Sequence, residues 1–298
     1  MVCFIILHYN TITETEKCIS SIEKMEEKDN IRIVIVDNAS PNGSGMVLKK
    51  KYKGKERIVV LIKEKNDGFS AGNNEGCKYA IDRWNPDFIV IANNDVEFRQ
   101  RDLVARIQNE YKQNHFAVLG PDIYNPILQI HQSPIAKNPP DRKRVNITIW
   151  LNRIMLWLYP LSYPIMREWF HRIGNKGDSE DYQTYQENVC LMGACLIYSR
   201  DYTEKRTKIF EPETMFYYEE NIQSVWCFHN QIKIIYQPSI EVWHMDGRAT
   251  KSVDLQEKEQ IRFRMRNILQ SAQIYRNFLL ELSMEKDLDY RQQNNMNK

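Results

Sequence analysis

Three clusters of polar side chains each follow an apolar run within the first hundred residues of the 298-residue chain. The clusters are His8-Tyr9-Asn10, Asp37-Asn38 and Asn93-Asn94-Asp95. Asparagine and aspartate are also common in turns, which would explain any one cluster without a ligand. Three such clusters at the ends of buried strands favour a binding site instead.

A glycine-rich segment, NDGFSAGNNEG at residues 66–76, lies between a run of strand formers and a helical pattern. Gly68, Gly72 and Gly76 recur every four residues, although glycine destabilises a helix interior. A dinucleotide-binding fold would need G-x-G-x-x-G after the first strand, where this chain has HYNTITE, and a P-loop would need a lysine that GNNEG lacks. Both common phosphate cradles are excluded, which leaves close approach to a ligand or a packing seam.

Alternating strand and helix patterns must position these residues. VCFIILHY is apolar throughout, as is typical of a strand buried on both faces. Helical spacing over 13–25 follows, then strand 31–38, a helix near 45–53, strand 57–64, helix 70–83, strand 88–95, helix 101–114 and strand 116–123. This alternation predicts right-handed crossovers and a mainly parallel sheet. Ligands bind beyond the carboxyl ends of the strands in such sheets, where the polar clusters fall.

Composition is that of an ordinary globular protein, with 42% apolar and 27% charged residues. A net charge of +2 argues against a nucleic-acid partner bound through overall charge, though not against a local basic patch. The six cysteines show no CxxC pair, so we expect buried free thiols in a reducing compartment. The apolar N-terminus lacks a basic lead and a cleavage site, so we interpret it as a core strand of a cytoplasmic protein.

Seven short segments occur in order over roughly residues 1–250: ILHYN, VIVDNAS, NDGFSAGNNEG, IANND, LMGACLIYSRDY, MFYYEENI and VWHMDGRATKS. Each segment alone has little specificity. Together, at this spacing, they resemble the family-2 glycosyltransferases of the GT-A fold that build bacterial polysaccharides such as O-antigen or capsule. The resemblance implies a Rossmann-like α/β fold with helices on both faces of the sheet, plus a C-terminal helical extension.

The resemblance implies a site for a nucleotide-diphosphate sugar. Asp37, at the end of the second strand, would accept the N3–H of uracil or thymine, and the glycine-rich helix would border the donor. The residues expected to bind the donor are His8, Tyr9, Asn10, Asp37, Asn38, Asn66, Gly68, Gly72, Asn73, Asn94, Arg248 and Lys251. Arg248, Lys251 and Ser252 suit a diphosphate leaving group, and a solvated loop is the alternative.

Asn93-Asn94-Asp95 occupies the place of the family's D-x-D metal motif, so the resemblance implies a divalent cofactor, Mn²⁺ or Mg²⁺. Asp95 supplies the one carboxylate, Asn93 replaces the first acidic residue, and His244 matches a histidine near the metal and the diphosphate. Asp95, Asn93 and His244 are therefore the expected metal residues. On sequence alone, a lone histidine after a strand is more often a hydrogen-bonded structural residue.

The segment FYYEENI matches the family's acidic pair. Glu220 aligns with the base that deprotonates the acceptor hydroxyl, and Glu219 with the neighbour that positions base or acceptor. Two glutamates at an exposed helix start, favoured by the helix dipole, are the alternative. Upstream, LMGAC matches the segment whose small residues, Gly193 and Ala194, would line the acceptor side.

Residues 145–170 form an apolar stretch whose longest charge-free run, Ile154 to Met166, is too short for a spanning helix, which needs about 20 residues, and two prolines interrupt it. Cations surround it: Arg142, Lys143, Arg144, Arg153, Arg167, Arg172 and Lys176. Tryptophan and leucine beside basic residues suit a helix lying in an anionic membrane surface. A core-facing insert that covers the acceptor cleft is the alternative. Residues 253–284 have helical spacing and are expected to pack on the catalytic domain.

The sequence thus predicts an inverting, metal-dependent transferase that moves a hexose or deoxyhexose from a UDP-hexose or dTDP-rhamnose to a lipid-linked saccharide at the inner face of the cell membrane. Residues 1–252 would form the catalytic domain, with a donor half (1–120) and an acceptor half (121–252), and 253–298 a helical segment. A dehydrogenase is disfavoured because the glycine fingerprint is missing. A non-catalytic nucleotide-sugar sensor or subunit is the alternative. It is motivated by Asn93 and by Asn221, which follows the acidic pair where the resembled family often has another acidic residue.

Overall fold

The computed structural model describes residues 1–174, 178–179, 181–206, 208–245 and 257–296, with side chains except those of 173–174 and 285–296. The first half contains β1 (Val2–His8), α1 (Ile12–Glu23), a 3-10 turn (Lys28–Asn30), β2 (Ile31–Asp37), α2 (Ser44–Lys51), β3 (Ile58–Ile62), α3 (Gly68–Trp84), β4 (Phe88–Asn93), β5 (Val96–Phe98), α4 (Leu103–Asn114), β6 (Val118–Asn125) and β7 (Ile130–His131). The second half contains α5 (Arg142–Trp157), α6 (Tyr159–Gly174), β8 (Gln186–Glu187), β9 (Cys195–Ser199), α7 (Arg200–Thr203), α8 (Glu219–His229), β10 (Ile234–His244) and α9 (Glu257–Met296).

The described strands form one sheet in the order β3-β2-β1-β4-β9-β6-β10-β5, with β7 beside β6 and β8 beside β10. Strands β3, β2, β1 and β4 are mutually parallel, and so are β6 and β10. The predicted fold class is confirmed. The sequence did not predict that β9 inserts antiparallel between β4 and β6, or that β5 pairs antiparallel with the end of β10.

The sheet is buried on both faces, which explains why its strands read as unbroken apolar runs. Along β1, Phe4 and Ile6 face a core shared with α1, α2 and α4. Cys3 and Ile5 face the other core, shared with α3, α7 and α8. Side chains alternate between the faces of a strand, so both sets must be apolar. All six cysteines are buried free thiols, as predicted.

The glycines of α3 form a packing seam against β1. A Cβ at Gly72 would lie 2.4 Å from Leu7 Cδ1, and one at Gly76 would lie 2.5 Å from Ile5 Cγ2. Gly68, the first residue of α3, has φ +88°, and a Cβ there would lie 2.5 Å from the carbonyl oxygen of Met215. The helix can therefore approach the sheet at Gly72 and Gly76, and the Met215 backbone at Gly68, only because these positions lack side chains.

Helices α5 and α6 pack on α9 rather than on the sheet. Val145 and Ile149 of α5 meet Tyr275 of α9 in one cluster, to which α8 also contributes. Tyr159 and Met166 of α6 form a second cluster with α9. None of the helices within the described ranges has the length and apolar character needed to cross a membrane.

Candidate active site

A cleft of about 480 Å³ opens where β1, β2 and β4 end. Most of the predicted site residues line it: Tyr9, Asn38, Asn66, Asn93, Asn94, Asp95, Gly193, Ala194, Glu219, Glu220 and His244. The parallel strands bring the first six together, because their carboxyl ends share one edge of the sheet. The other five come from the two residues directly before β9, from α8 and from β10, whose positions the sequence pattern did not indicate.

Asn38 and Asn66 join the end of β2 to the start of α3. Asn38 Nδ2 donates to Asn66 Oδ1 at 2.8 Å and to the Gly68 carbonyl oxygen at 3.1 Å. Asn66 Oδ1 also accepts from the Gly68 N–H at 2.9 Å. Asn38 Oδ1 is buried and has no hydrogen-bond partner within the described structure. An amide oxygen held this way is an acceptor for a polar ligand in the cleft.

Two of the predicted donor-binding residues lie below the cleft wall rather than in it. The fully buried His8 ring bonds Thr15 Oγ1 at 2.6 Å and Ser44 Oγ at 2.7 Å, and burial lowers the pKa of His8. Asp37 Oδ1 accepts from Ser40 Oγ at 2.5 Å and lies 3.9 Å from His8 Nε2. This geometry favours a supporting role for His8, since both ring nitrogens already have partners.

Other predicted donor residues also lie outside the cleft lining. The Asn10 N–H donates to Ser40 Oγ at 2.9 Å, and the buried Asn73 Nδ2 donates to the Phe69 carbonyl oxygen at 3.0 Å. Gly68 and Gly72 take part in the α3 packing described above. Arg248, Lys251 and Ser252 lie outside the described residues.

Asp95 and His244 meet because β5 pairs with β10. His244 is opposite Val96 in that pairing, directly after Asp95. His244 Nε2 lies 3.4 Å from Asp95 Oδ1, and His244 Nδ1 donates to Gln132 Oε1 at 2.8 Å. Asp95 Oδ1 is buried and accepts no hydrogen bond in the described structure.

This pair has the chemistry of a metal-binding edge. A carboxylate oxygen without a hydrogen bond and a neighbouring imidazole suit a divalent ion such as Mn²⁺. Within the described ranges, no group of three or more His, Cys, Asp or Glu side chains is placed to hold a metal. Asp95 and His244 would thus form part of a coordination shell, with Asn93 beside them in the cleft wall. Asn94 holds the turn in place by donating to Thr11 Oγ1 at 2.7 Å.

The acidic pair begins α8 directly after a strained turn. Tyr217 and Tyr218 have φ of 71° and 69°, the left-handed region that residues other than glycine rarely adopt. Glu219 Oε2 accepts from Thr214 Oγ1 at 3.1 Å. Glu220 Oε1 accepts from the Gly193 N–H at 3.3 Å. A Cβ at Gly193 would lie 2.5 Å from Glu220 Oε1, so only glycine leaves room for this carboxylate.

Both carboxyl groups of the pair have raised pKa values. Burial, and then repulsion from Glu220, raise the pKa of Glu219 well above its ordinary value of 4.5. Burial raises the pKa of Glu220 as well. A carboxylate whose pKa is raised holds an abstracted proton more readily, which suits a general base.

The C-terminal helix contributes a wall of the cleft that sequence reasoning missed. Gln260, Phe263 and Arg264 of α9 line it, together with Phe216 and Tyr217. The three α9 residues are spaced i, i+3 and i+4, so they share one helix face. Arg264 has no carboxylate within 4 Å in the described structure. The helical spacing was visible in the sequence, but nothing there indicated which element this face would meet.

The mixed sheet with helices on both faces matches the GT-A fold of solved glycosyltransferase structures, and the family model places the chain in that class. The chain belongs to glycosyl transferase family 2, whose family model matches residues 3–207. It is also 24% identical over 131 residues to the low-salt glycan biosynthesis hexosyltransferase Agl10 of Haloferax volcanii. That match covers 44% of this chain and 39% of the relative's length.

Solved structures share the fold at low identity. The structure of S. aureus TarS 1-349 has a TM-score of 0.51 at 14% identity, covering 90% of this chain and 71% of that one. The mannosyltransferase PcManGT of Pyrobaculum calidifontis, in complex with GDP-Man and Mn²⁺, has a TM-score of 0.53 at 12% identity, covering 99% and 83%. A complex of TarS 1-349 with UDP-GlcNAc has a TM-score of 0.50.

Proposed function

We propose that this glycosyltransferase moves a hexose or deoxyhexose, with inversion, from a nucleotide-diphosphate sugar to a saccharide acceptor. One observation carries the proposal: the Asp95–His244 edge and the Glu219–Glu220 pair line the same cleft. A donor and an acceptor hydroxyl can therefore meet between a diphosphate-binding edge and a base. The UDP-GlcNAc and GDP-Man bound by structural neighbours support a nucleotide-sugar donor, and the hexosyltransferase relative supports a hexose.

Glu220 is the proposed base. Its carboxylate takes the proton of the acceptor hydroxyl while the hydroxyl oxygen attacks the anomeric carbon from the side opposite the diphosphate. The new carbon–oxygen bond forms as the bond to the phosphate oxygen breaks, so the anomeric configuration inverts. The Gly193 N–H holds the Glu220 carboxylate in place, and Glu219, bonded to Thr214, positions its neighbour. Small residues at Gly193 and Ala194 leave space for the acceptor.

Mn²⁺ or Mg²⁺ is the proposed cofactor. Asp95 and His244 would hold it, Asn93 would contribute at most a neutral oxygen, and donor phosphates or water would complete the shell. Such an ion supplies positive charge that stabilises a diphosphate leaving group. His244 Nδ1–H is fixed by Gln132, so the other ring nitrogen faces Asp95.

Donor recognition is assigned to the β2 and α3 side of the cleft. Asp37 is buried next to the cleft-lining Asn38, so it would accept the N3–H of uracil or thymine only from a base that reaches past Asn38. The unpartnered Asn38 Oδ1 would accept a further donor-side hydrogen bond. We favour a UDP-hexose, with dTDP-rhamnose second. Arg248 and Lys251 would contact the diphosphate.

The proposed acceptor is a growing, lipid-linked glycan at the inner face of the cell membrane, as in O-antigen or capsule assembly. A non-catalytic nucleotide-sugar sensor is the second candidate, because Asn93 removes one charge from the metal motif. The closeness of two carboxylates with raised pKa values favours the enzyme, since a sensor needs no base.

Thermal stabilisation by UDP-, dTDP- and GDP-sugars with Mn²⁺ tests the donor. We expect one nucleotide class to raise the unfolding temperature, and the Asp95→Ala variant to lose the metal-dependent part. Donor hydrolysis and transfer are then measured with the donor that binds. Donor binding without hydrolysis or transfer, with every metal and acceptor tried, would favour the sensor. No stabilisation by any nucleotide sugar would contradict both.

A further inference from the structure

Helices α5 and α6 turn a continuous apolar surface towards solvent. Its exposed side chains, which we call the docking face, are Ile147, Trp150, Leu151, Trp157, Leu158, Leu161, Ile165 and Trp169. Trp157 is 81% and Leu161 is 77% exposed. Isolated exposed apolar residues are common on soluble proteins, but a large contiguous set marks an interaction surface.

Helices α5 and α6 each have two apolar faces. One face is buried against α9, and the other forms the docking face. On α5, Ile147, Trp150 and Leu151 are exposed at helical spacing, and Leu158 follows directly after the helix. By contrast, Val145 and Ile149 of α5 pack towards α9. On α6, Leu161, Ile165 and Trp169 are four residues apart, whereas Tyr159 and Met166 pack towards α9. No described part of the chain covers the outward faces.

The charged side chains within residues 142–172 are almost all positive, although Glu257 of α9 pairs with Arg167 of α6 at 3.0 Å. Between residues 142 and 172, Glu168 is the one acidic side chain, and it pairs with Arg172 at 2.9 Å. Arg142, Lys143, Arg144 and Arg153 have no carboxylate within 4 Å in the described structure. Lys143 lies one helical turn before Ile147, so cations border the apolar stripe itself.

We propose that the docking face binds the boundary between headgroups and acyl chains in a bilayer that contains anionic lipid. Tryptophan and leucine side chains insert at this depth, and the adjacent cations contact the headgroups. The alternative interpretation of this stretch, a cover over the cleft, is disfavoured because no described residue of α5 or α6 lines the cleft.

Helix α9 links this surface to the proposed active site. Its Ile261 and Met265 pack with α6, while Gln260, Phe263 and Arg264 line the cleft. Helix α9 therefore contacts α6, which carries part of the docking face, and also lines the cleft. Membrane binding by the docking face deepens the proposed function. It rests on that function only for the lipid-linked acceptor.

Flotation of the full-length chain with lipid vesicles tests the proposal without any sugar. We expect binding to vesicles of phosphatidylcholine with phosphatidylglycerol, weaker binding to phosphatidylcholine alone, and weakening by salt. Joint substitution of Trp157→Ser and Leu161→Ser should lower partitioning roughly tenfold or more, since it removes two inserted side chains. The matched control is Met46→Ser with Val47→Ser on α2, where the side chains are 60% and 55% exposed.

The charge contribution has its own pair of variants. Lys143→Gln with Arg144→Gln should reduce flotation with anionic vesicles and flatten its salt dependence. Lys49→Gln with Lys50→Gln, on α2, should leave both unchanged. Unfolding temperatures of all variants show whether each is folded.

Three results would overturn the proposal. The first is a wild-type chain that does not float, and the second is flotation that survives the Trp157 and Leu161 substitutions. The third is a dimer in lipid-free solution that those substitutions dissociate. The docking face would then bind a second copy of the chain. Flotation is measured without donor or acceptor, so its outcome does not depend on whether the chain transfers sugar.

Discussion

At the scale of single residues, the cleft is built from side chains that leave specific hydrogen-bonding capacity unused. Asn38 Oδ1 and Asp95 Oδ1 are both buried without a hydrogen-bond partner in the described structure. Buried acceptors of this kind cost free energy unless a ligand satisfies them. Each lies in the wall of the same cleft, so the cost is concentrated where a donor and a metal would compensate it.

Substituting the proposed base should separate chemistry from donor binding. Glu220→Gln keeps the shape and the bond to Gly193 N–H but removes the basic carboxylate, so transfer should fall by roughly 10²–10⁴. Glu219→Gln should lower transfer less, because that side chain is proposed only to position its neighbour. Both variants should keep donor affinity, measured by calorimetry. An inactive Glu219→Gln with a nearly normal Glu220→Gln would show that the base is the other glutamate.

Glu219 should also make stability depend on pH in a definite direction. Its pKa is raised in the folded chain, so the folded state holds this proton more tightly than the unfolded state does. Stability from this group is therefore complete below the ordinary pKa of 4.5 and is lost as pH rises through the folded pKa.

Glu219→Gln removes the titrating carboxyl group, and with it the loss of stability as pH rises. The substitution keeps an acceptor for the Thr214 hydroxyl. We therefore expect the variant to unfold at a higher temperature than the wild type at neutral pH, with the difference shrinking towards pH 4. Thermal unfolding across this range measures it. A constant difference at all pH values would mean that the effect is one of packing and not of protonation.

Gln132 should tune metal binding through His244. Its carbonyl oxygen accepts the Nδ1–H, which fixes the tautomer that faces Asp95. Gln132→Leu should weaken Mn²⁺ binding by about 10–100-fold, as is typical when a hydrogen-bond partner of a metal-binding histidine is lost. Gln132→Glu should retain it. Electron paramagnetic resonance of Mn²⁺ reports this directly, and unchanged affinity in Gln132→Leu would remove His244 from the metal assignment.

At the scale of elements, sequence pattern predicted the local structure of the donor half well. Predicted strand 31–38 is observed as Ile31–Asp37, and predicted helix 70–83 is observed as Gly68–Trp84. These are long, strongly periodic segments whose burial follows from their own residues. The position of β9 between β4 and β6 was not predictable in this way, because strand order depends on contacts distant in sequence.

The same distinction applies to the candidate site. Residues at the ends of β1, β2 and β4 could be grouped from the sequence, since parallel strands share a carboxyl edge. His8 was grouped with them, but a side-chain direction is not fixed by proximity, and its ring points into the core. Gln132 had no signal in the sequence, because a lone glutamine does not show what it contacts. The α9 helix was visible from its spacing, but a helix face does not show that it lines a cleft.

Substitution of Gly68 should destabilise the contact between α3 and the segment before α8. Alanine there would combine strain at φ +88° with a Cβ 2.5 Å from the Met215 carbonyl oxygen, so it should cost about 1–3 kcal/mol from backbone strain alone and more with the clash. Gly54 is the matched control, because it has φ +84° with open space around it. Chemical denaturation should show a larger loss for Gly68→Ala than for Gly54→Ala. Equal losses would mean that the contact with Met215 relaxes freely.

At the scale of the whole molecule, the described chain contains a sheet covered by helices on both faces and a helical layer formed by α5, α6 and α9. The described residues in the two cores of the sheet include none from α9. By contrast, both clusters of the helical layer depend on it. The domain boundary predicted at residue 252 stays a prediction, since α9 lies outside the sheet cores but lines the cleft.

Ending the chain at residue 256 should therefore leave the sheet folded and destabilise α5 and α6. The sheet cores keep their buried side chains, so cooperative unfolding and donor binding with Mn²⁺ should persist, with affinity within about threefold. Helices α5 and α6 lose their packing against four α9 side chains, Ile261, Met265, Tyr275 and Phe278. Burial of each is worth about 1.5–3 kcal/mol, so α5 and α6 should become sensitive to protease.

Transfer should fall by at least about 10²-fold in the truncated chain, because the loss of Gln260, Phe263 and Arg264 removes the wall that would orient an acceptor. Donor hydrolysis should fall less, since water needs no such orientation. A chain ending at residue 284 is the control, because it keeps all the α9 residues that the described side chains place in a cluster or in the cleft lining. Normal transfer by the shorter chain would show that α9 is only a support, whereas loss of donor binding as well would show that sheet and helical layer fold as one unit.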